Sequence, residues 1–137
     1  MREIRFSSRV LGSRASMRLQ RHVVWQTIRS ANSDLVKGGA RPGDRVEIFL
    51  DAERLGLANL EVLEPVNGSG LRLQDAVWGG FDSTHALIRA LQNANFRFKP
   101  LDQYHLCRVI FSFLGPWPPI EMPEQVKKER TPQHILY

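Results

Sequence analysis

Cysteine occurs once in this 137-residue chain, at Cys107, which excludes an internal disulfide and a thiolate metal cluster. The four histidines, His22, His85, His105 and His134, are too scattered to suggest a zinc site, so no metal and no cofactor is expected. No stretch approaches the roughly 18 uninterrupted apolar residues of a membrane helix. The N-terminus begins Met1-Arg2-Glu3-Ile4-Arg5 and lacks the apolar run of a secretory leader, so a cytoplasmic protein without membrane association is expected. There is no internal repeat. Carboxylates are scarce in one region: residues 1–30 hold Arg2, Arg5, Arg9, Arg14, Arg18, Arg21 and Arg29 against Glu3 alone. That segment carries +6 in a chain of net charge +5, so the remainder sums to −1.

What is present is therefore arginine, concentrated ahead of one stretch. Arginine makes forked contacts to phosphate and stacks on flat rings, so its concentration favours a nucleic-acid partner. The competing interpretation is a surface of ion pairs, for which few carboxylates lie nearby in sequence. In Trp25-Gln26-Thr27-Ile28-Arg29-Ser30 apolar and polar residues alternate, with Val24, Gln26 and Ile28 on one side and Trp25, Thr27 and Arg29 on the other. The period of two predicts a strand, although Gln26 interrupts its apolar side. One side thus offers a ring, a hydroxyl and a guanidinium, which suits stacking on a base and pairing with a phosphate. A plainer alternative makes Trp25 core and pairs Arg29 with Glu47 or Glu61 on a neighbouring strand.

Taken in order, residues 3–7 predict a short strand and residues 10–21 a helix. Leu11, Ala15 and Leu19 face the core there, and Arg14, Arg18 and Arg21 form a second stripe. A polar loop over 31–44 ends in the turn Arg41-Pro42-Gly43-Asp44. Strands over 45–50 and 55–63 then form a hairpin, ended by Pro65 and Asn67-Gly68-Ser69-Gly70. A helical turn is expected over 71–77, and a helix to about residue 94, capped by Asp82 or Ser83; Asp75 and Asp82 could approach a cleft, but Asp82 is read as a helix cap rather than as an acid there. Residues 104–114 are apolar on both sides and predict a central strand, in which Cys107 is a small buried hydrophobe. From Gly115 onward Pro116, Pro118, Pro119, Pro123 and Pro132 exclude a sheet interior. An extended tail over 115–137 is expected, with one helical turn at 124–130 and Trp117, Ile120 and Tyr137 as anchors to the body or a partner.

Three short signatures then coincide in order: Gln26-Thr27-Ile28-Arg29-Ser30, Arg41-Pro42-Gly43-Asp44 entering a strand, and Asp75-Ala76 followed by Gly79-Gly80-Phe81-Asp82-Ser83 opening a helix. Together with the aromatic-rich last strand, they make residues 3 to 114 resemble the ASCH domain of the PUA-like superfamily. The resemblance implies a small closed or nearly closed β-barrel with helices at its side and RNA bound in the cleft between them. The family's leading motif resembles Gly-x-Lys-x-x-x-x-Arg. Its positions here are His22, Val24 and Arg29, so Arg29 and the preceding Thr27 survive. Some bacterial members are amidohydrolases acting on acetylated cytidine, with a Lys, a Thr and a Glu at positions that here are Val24, Thr27 and Gly79. A Thr hydroxyl without a positioned base is a poor nucleophile, so catalysis is not the leading expectation.

The expectation is thus an α+β protein: a small PUA-like/ASCH barrel of about five to six strands over 1–114, two to three flanking helices, and a Pro-rich tail over 115–137. The expected function is binding RNA or single-stranded nucleic acid in a basic cleft through Arg29, Trp25, Thr27, Arg14, Arg18, Arg21, Lys37 and Arg41. Three alternatives stand beside it. One is an acetylcytidine amidohydrolase-like enzyme using Thr27, and another is a metal-independent ribonuclease using His22 or His105 with arginine. The third is a protein-interaction module working through the tail.

Overall fold

Alternation and turn chemistry divide the chain into strands, and the sheet they form decides where every side chain goes. The computed structural model describes residues 2–96 and 105–115. The predicted tail, with Trp117, Ile120 and Tyr137, and the start of the last strand at Tyr104 lie outside the described residues.

β1 (Arg2–Phe6) buries Ile4 and Phe6 on alternate positions. α1 (Ser8–Gln20) begins under Asp51, whose carboxylate accepts from the Ser8 backbone N–H at 3.1 Å and from Ser8 Oγ at 2.7 Å. Gly12, at φ +82, interrupts the helix, and beyond it Ala15 and Leu19 turn to the core as their spacing predicts. β2 (Gln26–Ser30) follows, with Trp25 just before it. The loop predicted over 31–44 contains a single helical turn, α2 (Asp34–Lys37). The Arg41–Asp44 turn closes with Asp44 N–H donating to the Arg41 carbonyl at 3.1 Å and Arg41 N–H donating to Asp44 Oδ2 at 2.9 Å.

β3 (Arg45–Leu50) and β4 (Glu53–Asn67) form the hairpin. β4 does not stop at Leu63 as predicted but runs through Pro65, which lies opposite Cys107. Proline is tolerated because β3 ends at the pair Arg45–Asn59, so the later part of β4 has a free edge. A 3-10 turn (Gly68–Gly70) leads to α3 (Leu73–Trp78), then α4 (Thr84–Leu91) and a π turn over Gln92–Phe96. The cap of α4 is Ser83, whose Oγ accepts from Ala86 N–H at 3.1 Å. Asp82, the other cap candidate, is engaged by Arg14 and Arg18. β5 (His105–Phe113) is central as predicted, between β4 and β2.

The five strands lie in the order β1-β3-β4-β5-β2, with β1 parallel to β3 and the other pairs antiparallel. The fold is α+β, a curled half-barrel with, among the described residues, four helices rather than the two or three expected. Its inner face holds the main core, from Ile4 and Phe6 through Val46, Ile48 and Leu60 to Val109 and Phe111. A smaller core joins Ile28 and Leu106 to Ala76, Leu87 and Leu91 of α3 and α4. Because β1 and β2 are the two outer strands of a curled sheet, the fold leaves a seam between them. Among the described residues, no helix is long and apolar enough to cross a membrane.

Candidate functional site: a cavity at the barrel seam

The seam opens into a cavity of about 640 Å³, within the usual size range of ligand pockets. One wall is Arg5, Phe6 and Ser7 at the end of β1, and the facing wall is the whole of β2, Gln26–Ser30. Val10 and Leu11 of α1, Phe81, and Leu87 and Leu91 of α4 make an apolar lining, and His105 also contributes. The register explains why five consecutive β2 residues line it. Phe111 N–H donates to the Trp25 carbonyl and Ala31 N–H to the His105 carbonyl, both at 2.9 Å. In an antiparallel ladder bonded pairs recur every second residue, so Thr27 and Arg29 also point their peptide groups at β5. Gln26, Ile28 and Ser30 point theirs away from β5, toward the seam. The cavity is therefore bordered by strand edge as well as by side chains.

Arg29 is the cationic group of this wall that has no carboxylate. Among the described residues it makes no ion pair, its Nε is buried without a hydrogen-bond partner, and its guanidinium lies over the Phe6 ring at 4.8 Å. Burial lowers its pKa from the usual 12.5 to about 10. The predicted internal partners are occupied elsewhere. Glu47 accepts from Arg54 Nε at 2.8 Å, and Glu61 accepts from Ser112 Oγ at 2.6 Å. Arg29 also borders an adjoining polar cleft of about 670 Å³ that reaches Arg2, Arg5, Asn32 and Ser33.

Behind the wall, on the other face of β2 and β5, lies a buried polar network. Asp75 accepts from Arg108 Nε at 2.5 Å and Nη2 at 2.9 Å, from Arg72 N–H at 2.7 Å, and from the Gln26 side-chain amide. Arg108 also donates to Glu64 Oε2 at 2.9 Å, directly across the β4–β5 ladder. Burial pushes the Asp75 carboxyl up, but the hydrogen bonds from Arg108, Arg72 and Gln26, with the Arg108 charge, outweigh it and leave the pKa below its usual value. Its hydrogen bonds to Asp75 and Glu64, with their charges, push Arg108 above the usual arginine range against its own burial. Asp75 thus lines the cavity as a saturated anion, not as a base with a free lone pair.

The eight residues expected to bind nucleic acid fall into separate places. Thr27 and Arg29 line the cavity together. Trp25 is 50% exposed and meets Trp78 edge to face in a different groove of about 430 Å³, with Arg21, His22 and Phe113. Trp25 and Arg29 alternate correctly, but β2 begins only at Gln26, and the two side chains line different pockets. Arg14 and Arg18 converge on Asp82 at 2.7 and 2.9 Å, and Arg18 also donates to the Gly80 carbonyl at 2.8 Å. These bonds hold the Asp82 carboxyl below its usual pKa. Gly80 allows this approach: at φ +93 any Cβ would press on Val24 at 3.0 Å and on Ala15. Lys37 and Arg41 are exposed and line neither the cavity nor the groove.

The chemistry available follows from the same placement. Thr27 lines the cavity, but Val24 is core and Gly79 has no side chain, so neither position supplies a base for its hydroxyl. His22 stacks on Phe113 at 3.8 Å in the second groove, bonds the Leu55 carbonyl through Nε2 at 2.9 Å, and is pushed by burial below the usual histidine pKa. It does not line the cavity that holds Arg29. Among the described residues, no group of three or more His, Cys, Asp or Glu side chains is placed to hold a metal ion. Sequence reasoning missed Arg108 altogether, although a lone arginine inside an apolar strand was the signal for it. Gln26 was visible as the interruption of an apolar side. Compared with family models, with curated proteins and with solved structures, the chain finds no match in any of the three.

Proposed function

We propose that this protein is a binding module for RNA or single-stranded nucleic acid that works through the seam cavity. In this reading the half-barrel corresponds to a PUA-like, ASCH-type barrel. The observation that carries it is Arg29, a buried cation in a ligand-sized cavity with no carboxylate partner among the described residues. A guanidinium held this way can be met by an anion from outside, and its fork suits a phosphate or a base edge. The apolar lining from Phe6, Ile28, Phe81 and Leu91 would take an unstacked base, and the adjoining cleft with Arg2 and Arg5 would carry the backbone onward. Arg2 and Arg5 already pair with Asp44 and Glu3 at 3.6 and 2.8 Å, so they rank below Arg29.

The test is the affinity of the pure protein for a labelled single-stranded RNA at low salt, with melting temperatures measured on the same samples. Arg29→Ala should weaken binding by about 1–3 kcal/mol, and Arg29→Lys nearly as much, because an ammonium cannot reproduce a forked contact. Melting temperature should hold in both, since among the described residues Arg29 makes no ion pair. Arg2→Ala should cost little and mainly lower the salt slope. Unchanged affinity in Arg29→Ala would remove Arg29 from the site. Thr27→Ala should change affinity only modestly, whereas turnover of acetylated cytidine that disappears in Thr27→Ala would replace binding with catalysis.

A further inference from the structure

We propose that Gln26 reads the 4-amino group of cytosine in the seam cavity, which selects cytosine over uracil. This rests on the nucleic-acid reading above and adds to it a rule for which base enters. Asp75 is ionised and can only accept. Its oxygens already take both Arg108 contacts and the Arg72 N–H, and the remaining donor is the Gln26 side-chain amide. A carboxylate can be met only by the NH2 end of that amide, so the orientation of Gln26 is imposed, and its carbonyl oxygen must point elsewhere. That oxygen is buried and has no donor, although Gln26 itself is 0% exposed and belongs to the cavity wall.

Buried acceptors without a donor are rare in folded proteins, and one in a ligand-sized cavity marks where a ligand group belongs. The missing partner is a neutral N–H donor small enough to enter beside Ile28 and Leu91. Cytosine presents an amine at C4, where uracil presents a carbonyl, whose oxygen would face the Gln26 oxygen with no proton between them. Reaching it needs a small side-chain adjustment, of the kind that commonly accompanies binding. The fixed amide cannot turn to suit the wrong base, because turning would aim its oxygen at Asp75. The network behind the wall thereby makes Gln26 an acceptor only.

The experiment compares labelled oligo(C) and oligo(U) of equal length on the full chain at one low salt concentration, then repeats the comparison with Gln26→Met. Cytosine and uracil are nearly the same size, so the contrast isolates the edge. Oligo(C) should bind about tenfold more tightly, and Gln26→Met should bring the ratio close to one while both oligomers still bind. Should Gln26→Met fail to fold, an oligomer carrying pyrimidin-2-one in place of each cytosine serves on the wild-type protein and should lose the same advantage. Equal binding of oligo(C) and oligo(U) by the wild type overturns base selection and leaves the nucleic-acid reading intact. A preference that survives both Gln26→Met and the pyrimidin-2-one probe also overturns it. Failure to bind any oligomer overturns both.

Discussion

Arg108 and Arg29 stand on neighbouring strands one register step apart, Arg108 opposite Ile28 and Arg29 opposite Cys107, so they face opposite sides of the same sheet. Arg108 is 3% exposed and meets Asp75, Glu64 and the Gly70 carbonyl. Arg29 has an aromatic ring beneath it, a buried Nε with no partner, and a cavity in front. Charge burial is tolerated in the first case because several acceptors replace water. In the second it is left incomplete, and the cost shows as a pKa lowered to about 10. The difference separates an arginine saturated by internal acceptors from one that, among the described residues, has none at its Nε.

The largest expected effect breaks the Arg108 side. Arg108→Met strands a buried Asp75 and should cost about 3–5 kcal/mol of stability in a denaturant melt. The double variant Arg108→Met with Asp75→Leu should recover most of that loss, because no buried charge then remains. A double variant no more stable than the single one would mean that the network matters through shape and not through charge.

Acid sharpens the same contrast. The Asp75 carboxyl titrates lower in the folded chain than its ordinary 3.8, so its contribution is fully present above that pH and is lost as pH falls through the folded value. Arg29 contributes nothing to this window, being protonated throughout. Subtracting the acid melting profile of the double variant from that of the wild type should therefore leave a step below about pH 4. A flat difference would show that Asp75 is not held as the folded anion.

A smaller effect concerns the other paired arginines. Asp82→Ala releases Arg14 and Arg18, which are exposed and half-buried, so stability should change little. Retention on single-stranded nucleic acid should rise, and its salt slope should steepen by up to about 1.4 if both side chains reach phosphate. An unchanged slope would place α1 away from the path of the strand. The smallest effect is expected of Trp25→Ala, which should leave Arg29-dependent affinity nearly unaltered because Trp25 lines the other groove. A loss as large as that of Arg29→Ala would join the two pockets into one surface.

Much of this was legible in one dimension. The period of two placed β1, β3 and β5 within a residue or two of their bounds, and the Leu11, Ala15 and Leu19 spacing gave the buried side of α1. The Pro-Gly turn before β3 was plain for the same reason, since backbone restrictions act locally. One element end was misjudged where a neighbour decided: Pro65 marks the end of a strand only if the strand has partners on both sides there. Of the two cap candidates for α4, Ser83 is the cap because Arg14 and Arg18 claim Asp82.

The sequence by itself determined the strand periods, the turns, and an arginine-rich, carboxylate-poor first thirty residues. Its statement that those arginines lack partners was true only of neighbours along the chain. The tertiary structure brought Asp82 to Arg14 and Arg18 across 68 and 64 residues, and Asp75 to Arg108 across 33, because curling the sheet and packing α3 and α4 against it closes distances that spacing cannot express. It also left the seam between β1 and β2, which no local pattern encodes, since a cavity is defined by what several separate segments fail to fill. Which arginine meets a carboxylate among the described residues follows from the same packing: ion pairing falls off over a few ångströms in space, without regard to separation along the chain.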